Sequence, residues 1–155
     1  MSEPLAYFLT WTTYGTWLHG DERGWVNVHI ARCVDDYGIR SDGLVAYSRH
    51  VMKWPEMRLS PEQRSCVEAA VRSVCEYRSW ELKEINCRSN HVHVVVRAVG
   101  IASQSLMKQF KAYATRALRQ HWVELQQDIW TRDGSTRYLN SEESLAAAIE
   151  YVRNQ

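Results

Sequence analysis

The stretch Asn90-His91-Val92-His93-Val94-Val95-Val96-Arg97 constrains the fold of this chain more than any other. Its valines are stiff at χ1 and favour an extended backbone over a helix. Side chains alternate along a strand, so Val92, Val94 and Val96 face one way and His91, His93, Val95 and Arg97 the other. Two imidazoles then share one face of a rigid element, about 7 Å apart along the chain at two residues' rise. That arrangement suits a divalent metal held on a sheet. It suits equally a half-buried strand whose histidines make polar contacts.

The charge around this stretch is uneven. From Ile85 through Val123 there is no Asp or Glu, while Arg88, Arg97, Lys108, Lys111, Arg116 and Arg119 supply six positive charges. With a net charge of +1 overall, the rest of the chain carries a net of −5. A locally basic segment on a near-neutral chain is what phosphate binding requires, and a solvated helix face is the plainer reading. Seven Trp and eight Tyr against two Phe give the chain aromatics with polar handles, suited to wet clefts as well as cores. Four cysteines without C-x-x-C spacing indicate neither a zinc site nor a disulfide framework. With no apolar run of membrane-spanning length and no signal-peptide pattern, the expected location is the cytoplasm, with reduced thiols and no membrane partner.

At 155 residues the chain is expected to form one domain over 1–155, with an irregular insertion at about 26–59. Leu5 to Thr13 reads as a first strand, followed by a glycine-bearing loop that reads first as a surface turn, with His19, Asp21 and Glu22 as secondary candidates to reach a site. Ser60-Pro61-Glu62-Gln63 is a helix start with a capping box, and that helix runs to about Arg78. Trp80 to Cys87 and Asn90 to Ala98 follow as two strands close enough to pair. Ser103 to about Trp122 is a second long helix, with Leu106, Phe110, Tyr113, Ala114, Ala117 and His121 along one side. A turn-like stretch at Thr131–Leu139 contains a short strand, and a terminal helix runs from Glu142 to Arg153. This order fits an α+β fold of the ferredoxin-like kind, an antiparallel sheet with helices packed on one face.

The Tyr-Phe-Leu-Thr strand, the capped helix, Asn90-His91-Val92-His93 and the later helix carrying Phe110-Lys111-Ala112-Tyr113-Ala114 together resemble the HUH superfamily of single-tyrosine transposases. Within it the resemblance is to the IS200-like branch that includes the REP-associated tyrosine transposases. It implies a metal-dependent nickase and strand transferase acting on single-stranded DNA with hairpin ends, associated with the nucleoid. His91 and His93 would hold Mg²⁺ or Mn²⁺, and Tyr113 would attack the scissile phosphate to give a 5′-phosphotyrosine. Tyr138 is the reserve nucleophile. In relatives a glutamine or other polar residue one turn beyond the tyrosine often completes the metal site, but that position here is Ala117. Gln109, one turn before Tyr113, is the substitute candidate.

Arg88, Arg97, Lys108, Lys111, Arg116 and Arg137 are candidates for DNA phosphates, and Trp11, Trp17 and Trp25 for stacking on unpaired bases. Relatives include monomers and homodimers. The alternative is a catalytically inactive, transposase-derived DNA-binding protein, favoured by Ala117. A different His-pair metallohydrolase and an RRM-type RNA-binding sheet fit the pattern less well, since valines stand where an Asp-His pair or stacking aromatics would be needed.

Overall fold

The computed structural model describes residues 3–16 and 42–155. Trp17, His19, Asp21, Glu22 and Trp25 lie outside the described residues, as does the first half of the expected insertion. The elements are β1 (Ala6–Thr12), α1 (Asp42–His50), α2 (Pro61–Arg78), β2 (Glu81–Cys87), β3 (His91–Arg97), α3 (Ser103–His121), β4 (Ser135–Leu139) and α4 (Glu142–Arg153). The strands form one antiparallel sheet in the order β2-β3-β1-β4. The fold is α+β, as the sequence predicts. No described helix is long and apolar enough to cross a membrane.

The two faces of this sheet are buried by different helices, which decides where the site lies. On one face Leu9 and Trp11 of β1 and Val92, Val94 and Val96 of β3 pack against Val67, Val71 and Val74 of α2 and Leu106, Phe110, Ala114 and Leu118 of α3. This is the main core, and its Trp11 and Phe110 rings stack with centroids 6.2 Å apart. On the other face Ala6, Val95 and Leu139 pack against Leu145 and Val152 of α4, with Phe8, Ala148 and Ile149 alongside. α2 and α3 thus share a face, and α4 covers the second. Burial from both sides explains why β3 reads as an almost unbroken apolar run.

Local chemistry sets the ends of these helices. Ser60 caps α2 by accepting from the Gln63 amide while the Gln63 side chain accepts from the Ser60 amide, with Pro61 in the first turn. Ser79 ends α2 in the left-handed region at φ 59°. Ser141 caps α4 through Ser144 in the same reciprocal way.

Candidate functional site

Strand alternation brings His91 and His93 onto the face that α4 covers. The register pairs Thr12 with His91, Thr10 with His93 and Phe8 with Val95, while Asn86 of β2 lies opposite His93 on the other side. The two imidazole centroids are 4.7 Å apart. His93 is 7% exposed and stacks on Phe8 at 5.4 Å. Its Nδ1 shares a hydrogen bond of 2.8 Å with the Thr10 hydroxyl. Asn90 Oδ1 accepts from His91 Nδ1 at 2.8 Å. Both rings are therefore oriented through Nδ1, the arrangement in which a metal would be held through Nε2. Burial first, and the neighbouring His91 second, push the His93 imidazole down to about 4, so at neutral pH it is the uncharged ring that metal ligation requires.

Against this pair stands Tyr151, on the last turn of α4. Leu145, Ala148, Ile149 and Val152 form the stripe by which α4 grips the sheet, and Tyr151 projects from its flank. Its ring lies 5.7 Å from that of His93 and 6.0 Å from that of Phe8. It is 54% exposed, so one side of the ring meets His93 and Phe8 while much of the rest faces solvent. Gln155 follows one turn later, its Nε2 donating to the Tyr151 carbonyl. That bond leaves Gln155 Oε1 as an acceptor.

Tyr113 is not brought to the His pair. α3 packs on the valine face through Leu106, Phe110, Ala114 and Leu118, and Tyr113 sits half-buried beside that core with the Arg116 guanidinium 5.4 Å over its ring. The sheet separates it from His91 and His93. Gln109 lies on the same helix, its Oε1 buried without a hydrogen-bond partner among the described residues, and it too is across the sheet from the histidines. Tyr138 is exposed on β4 and makes an edge contact with Tyr7, again on the face away from the pair.

The basic candidates divide in the same manner. Lys111 Nζ donates to the backbone carbonyls of Thr131 and Asp133, which pins the chain entering β4 to α3, and burial lowers its ammonium from the usual lysine range. Lys111, Thr115, Arg116 and Arg119 line an open depression along α3. Arg119 is held by the carbonyls of Leu125 and Gln127 at 3.3 and 3.2 Å. Lys108 is exposed on α3. Arg88 donates to the Gln155 carbonyl at 3.2 Å, and Arg97 is exposed at the end of β3, opposite Glu81. Arg137 is exposed on β4 in register with Phe8, on the face of the His pair. Trp11 is fully buried, so it stacks on protein, not on bases.

A signal for Tyr151 was present in the sequence. Of the eight tyrosines, only Tyr151 has a glutamine four residues on. The feature that fails at Tyr113, where Ala117 stands, is met at Tyr151 by Gln155.

A divalent metal fits this donor set under one condition. Among the described residues no group of three or more His, Cys, Asp or Glu side chains stands together. The protein's own contribution is two imidazoles, of which burial holds His93 uncharged, and Mg²⁺ or Mn²⁺ would also need oxygen donors, for which the Gln155 amide and a substrate phosphate are candidates.

The sequence model of the family described as "Transposase IS200 like" matches residues 47–155, a span that includes both histidines, Tyr113 and Tyr151. Among solved structures, the chain is similar to a candidate transposase from Deinococcus radiodurans R1, at 16% identity and a TM-score of 0.53, covering 100% of this chain and 93% of that one. It is also similar to a REP-associated tyrosine transposase bound to a REP hairpin, at 12% identity and a TM-score of 0.56, covering 97% of this chain and 66% of that one. At these identities the likeness is one of fold. No curated protein matches the chain. The family match covers well over half of the sequence, and the chain therefore belongs to the IS200-like transposase family.

Proposed function

We propose that this protein nicks and rejoins single-stranded DNA through a covalent phosphotyrosine, with Tyr151 as the nucleophile. The observation that carries the reading is the contact of Tyr151 with His93, at 5.7 Å between rings, on the open edge of the α4-covered face. Tyr151 Oη gives up its proton to solvent and forms a bond to the scissile phosphorus while the P–O3′ bond breaks. The 5′ side of the break stays on the enzyme as a phosphotyrosine, and the 3′ oxygen leaves and takes up a proton. The energy of the phosphodiester is retained in the new ester, so a second 3′-hydroxyl reverses the step and joins the strand to a new end.

His91, His93 and Gln155 would hold Mg²⁺ or Mn²⁺, which would polarise the phosphate as a Lewis acid. The chain's own residues do the rest of the positioning. Thr10 and Asn90 fix the ring orientations, and burial keeps His93 uncharged. Phe8 gives Tyr151 and His93 a common apolar wall. Exposed Arg137 on the same face is a contact for the DNA backbone. A single strand carrying a hairpin is the substrate class, in keeping with the hairpin held by the REP-associated relative. The catalytically inactive reading rested on Ala117, and it loses that support once Gln155 is the residue one turn beyond the tyrosine.

The test is a covalent-adduct assay. Labelled single-stranded DNA containing the hairpins that flank the gene is incubated with protein and Mn²⁺ and run on a denaturing gel. Wild type and Tyr113→Phe form a protein–DNA adduct, and Tyr151→Phe and His91→Ala do not. An adduct retained by Tyr151→Phe and lost from Tyr113→Phe would overturn the assignment, and DNA binding without any adduct would return the inactive reading.

A further inference from the structure

A tyrosine on the last turn of a helix is poorly placed for phosphoryl transfer unless that turn is held still. The last four carbonyls of a helix have no partners within it, and helix ends fray. In α4 the turn bearing Tyr151 is tied to the sheet from outside. Asn86 Nδ2 donates to the Val152 carbonyl at 2.9 Å and reaches the Gln155 carbonyl at 3.4 Å. Asn86 lies directly across from His93 in the β2–β3 register. One side chain therefore spans from the strand neighbouring the histidines to the carbonyl of Val152, the residue after the tyrosine.

Arg88 also donates to the Gln155 carbonyl, at 3.2 Å, and buried Val152 packs the same turn on the sheet, but the side-chain bond to the Val152 carbonyl comes from Asn86. Leu145 and the Ser141 cap anchor its far end, and the exposed pair between Arg153 and Glu84 is of the kind worth little in water.

We propose, resting on the Tyr151 reading above, that Asn86 is a positioning residue: its amide clamps the C-terminal turn of α4 so that Tyr151 is held at His93 and Gln155 is presented towards the same site. The amide supplies N–H donors to the Val152 and Gln155 carbonyls at the end of α4, a role that neither a carboxylate nor an apolar side chain is able to fill. It touches neither phosphate nor metal. Its effect on the reaction runs through the near-attack placement of the phenol, where a displacement of about 1 Å costs about 100-fold in rate.

The experiment compares Asn86→Leu, close in size and without a donor, and Asn86→Ala with Val71→Ala, which loosens the opposite layer and leaves α4 untouched. Adduct formation is followed in single turnovers over a range of DNA concentrations. The Asn86 variants lose about 10- to 100-fold in maximal rate with DNA affinity unchanged, and Val71→Ala stays within about two-fold of wild type. In parallel, NMR cross-peaks between the Tyr151 ring and the Phe8 and His93 rings weaken in the Asn86 variants and persist in Val71→Ala. Unchanged rates and cross-peaks in Asn86→Leu would overturn the proposal. If wild type forms no adduct, the catalytic reading fails, and the cross-peaks alone still decide whether Asn86 holds Tyr151 in place.

Discussion

Tyr151 and His93 meet across the interface of α4 and β3, their rings 5.7 Å apart and inclined at 70°. They are separated by most of the second half of the sequence and joined by the packing of Leu145 and Val152 on Val95. Because that packing lies on the reverse of the main core, the tyrosine on the terminal helix and not the one on α3 stands beside the histidine pair.

The buried imidazole makes stability depend on pH. Folding lowers His93 from an ordinary 6.5 to about 4, chiefly through burial. Between those values the unfolded chain binds a proton that the folded chain refuses. The stabilisation is therefore complete above pH 6.5 and is lost progressively as pH falls towards 4. Urea unfolding in the presence of a chelator should show wild type losing on the order of 2 kcal/mol between pH 7 and pH 4.5 through this group. His93→Gln should show a shallower pH dependence over the same range, and identical slopes would contradict this cause.

Much of the fold was legible because its signals are local. The capping box at Ser60, the valine run at 92–96 and the helical spacing of Leu106, Phe110 and Ala114 each act within a turn or a few residues. They mark α2, β3 and α3 without reference to the rest of the chain. The face on which the histidines lie was legible too, since alternation along β3 requires no partner. What local pattern does not contain is which helix covers which face. Tyr113 and Tyr151 both follow the His pair on amphipathic helices, and only the packing of α3 on Val92, Val94 and Val96 and of α4 on Val95 separates them. For Lys111, charge was visible but not the carbonyls of Thr131 and Asp133 that engage it.

Thr10 should matter to metal binding more than to folding. Its hydroxyl bonds His93 Nδ1 at 2.8 Å, and the chain entering β4 approaches it closely at Gly134, where an added Cβ would lie 2.6 Å from the Thr10 carbonyl. Thr10→Val keeps the shape and removes the bond that orients the ring. Titration calorimetry with Mn²⁺ should show affinity reduced about 10- to 100-fold, as for other partners that orient a ligating histidine. The thermal midpoint should move by only a few degrees. An unchanged Mn²⁺ affinity would show that the hydroxyl does not set the ring.

The main core should fail in a different manner. Phe110 is fully buried, stacked on Trp11 at 6.2 Å and meeting Trp80 edge-on at 5.8 Å. Phe110→Ala removes a ring that two large neighbours are unable to replace, at a cost of about 3–5 kcal/mol. Denaturant unfolding should show the whole loss as a lower midpoint. The much smaller change Tyr113→Phe on the same helix should shift the midpoint hardly at all, since it keeps the ring under Arg116.

Two cations that look alike in the sequence should separate in a salt titration of DNA binding. Lys111 spends its ammonium on the Thr131 and Asp133 carbonyls, on the far side of the sheet from the histidines. Arg137 is exposed and shares a face with Phe8 and His93. Each phosphate contact contributes about 0.7 to the slope of log affinity against log salt for a single strand, through release of condensed counterions. Arg137→Ala should therefore weaken binding and flatten that slope by about 0.7. Lys111→Met should leave the slope unchanged and instead lower stability, because it frees the chain entering β4 and removes a donor from two carbonyls. Fluorescence anisotropy with a labelled single strand at several salt concentrations distinguishes the two. A flattened slope for Lys111→Met with none for Arg137→Ala would move the DNA to the α3 side of the sheet, away from His91, His93 and Tyr151.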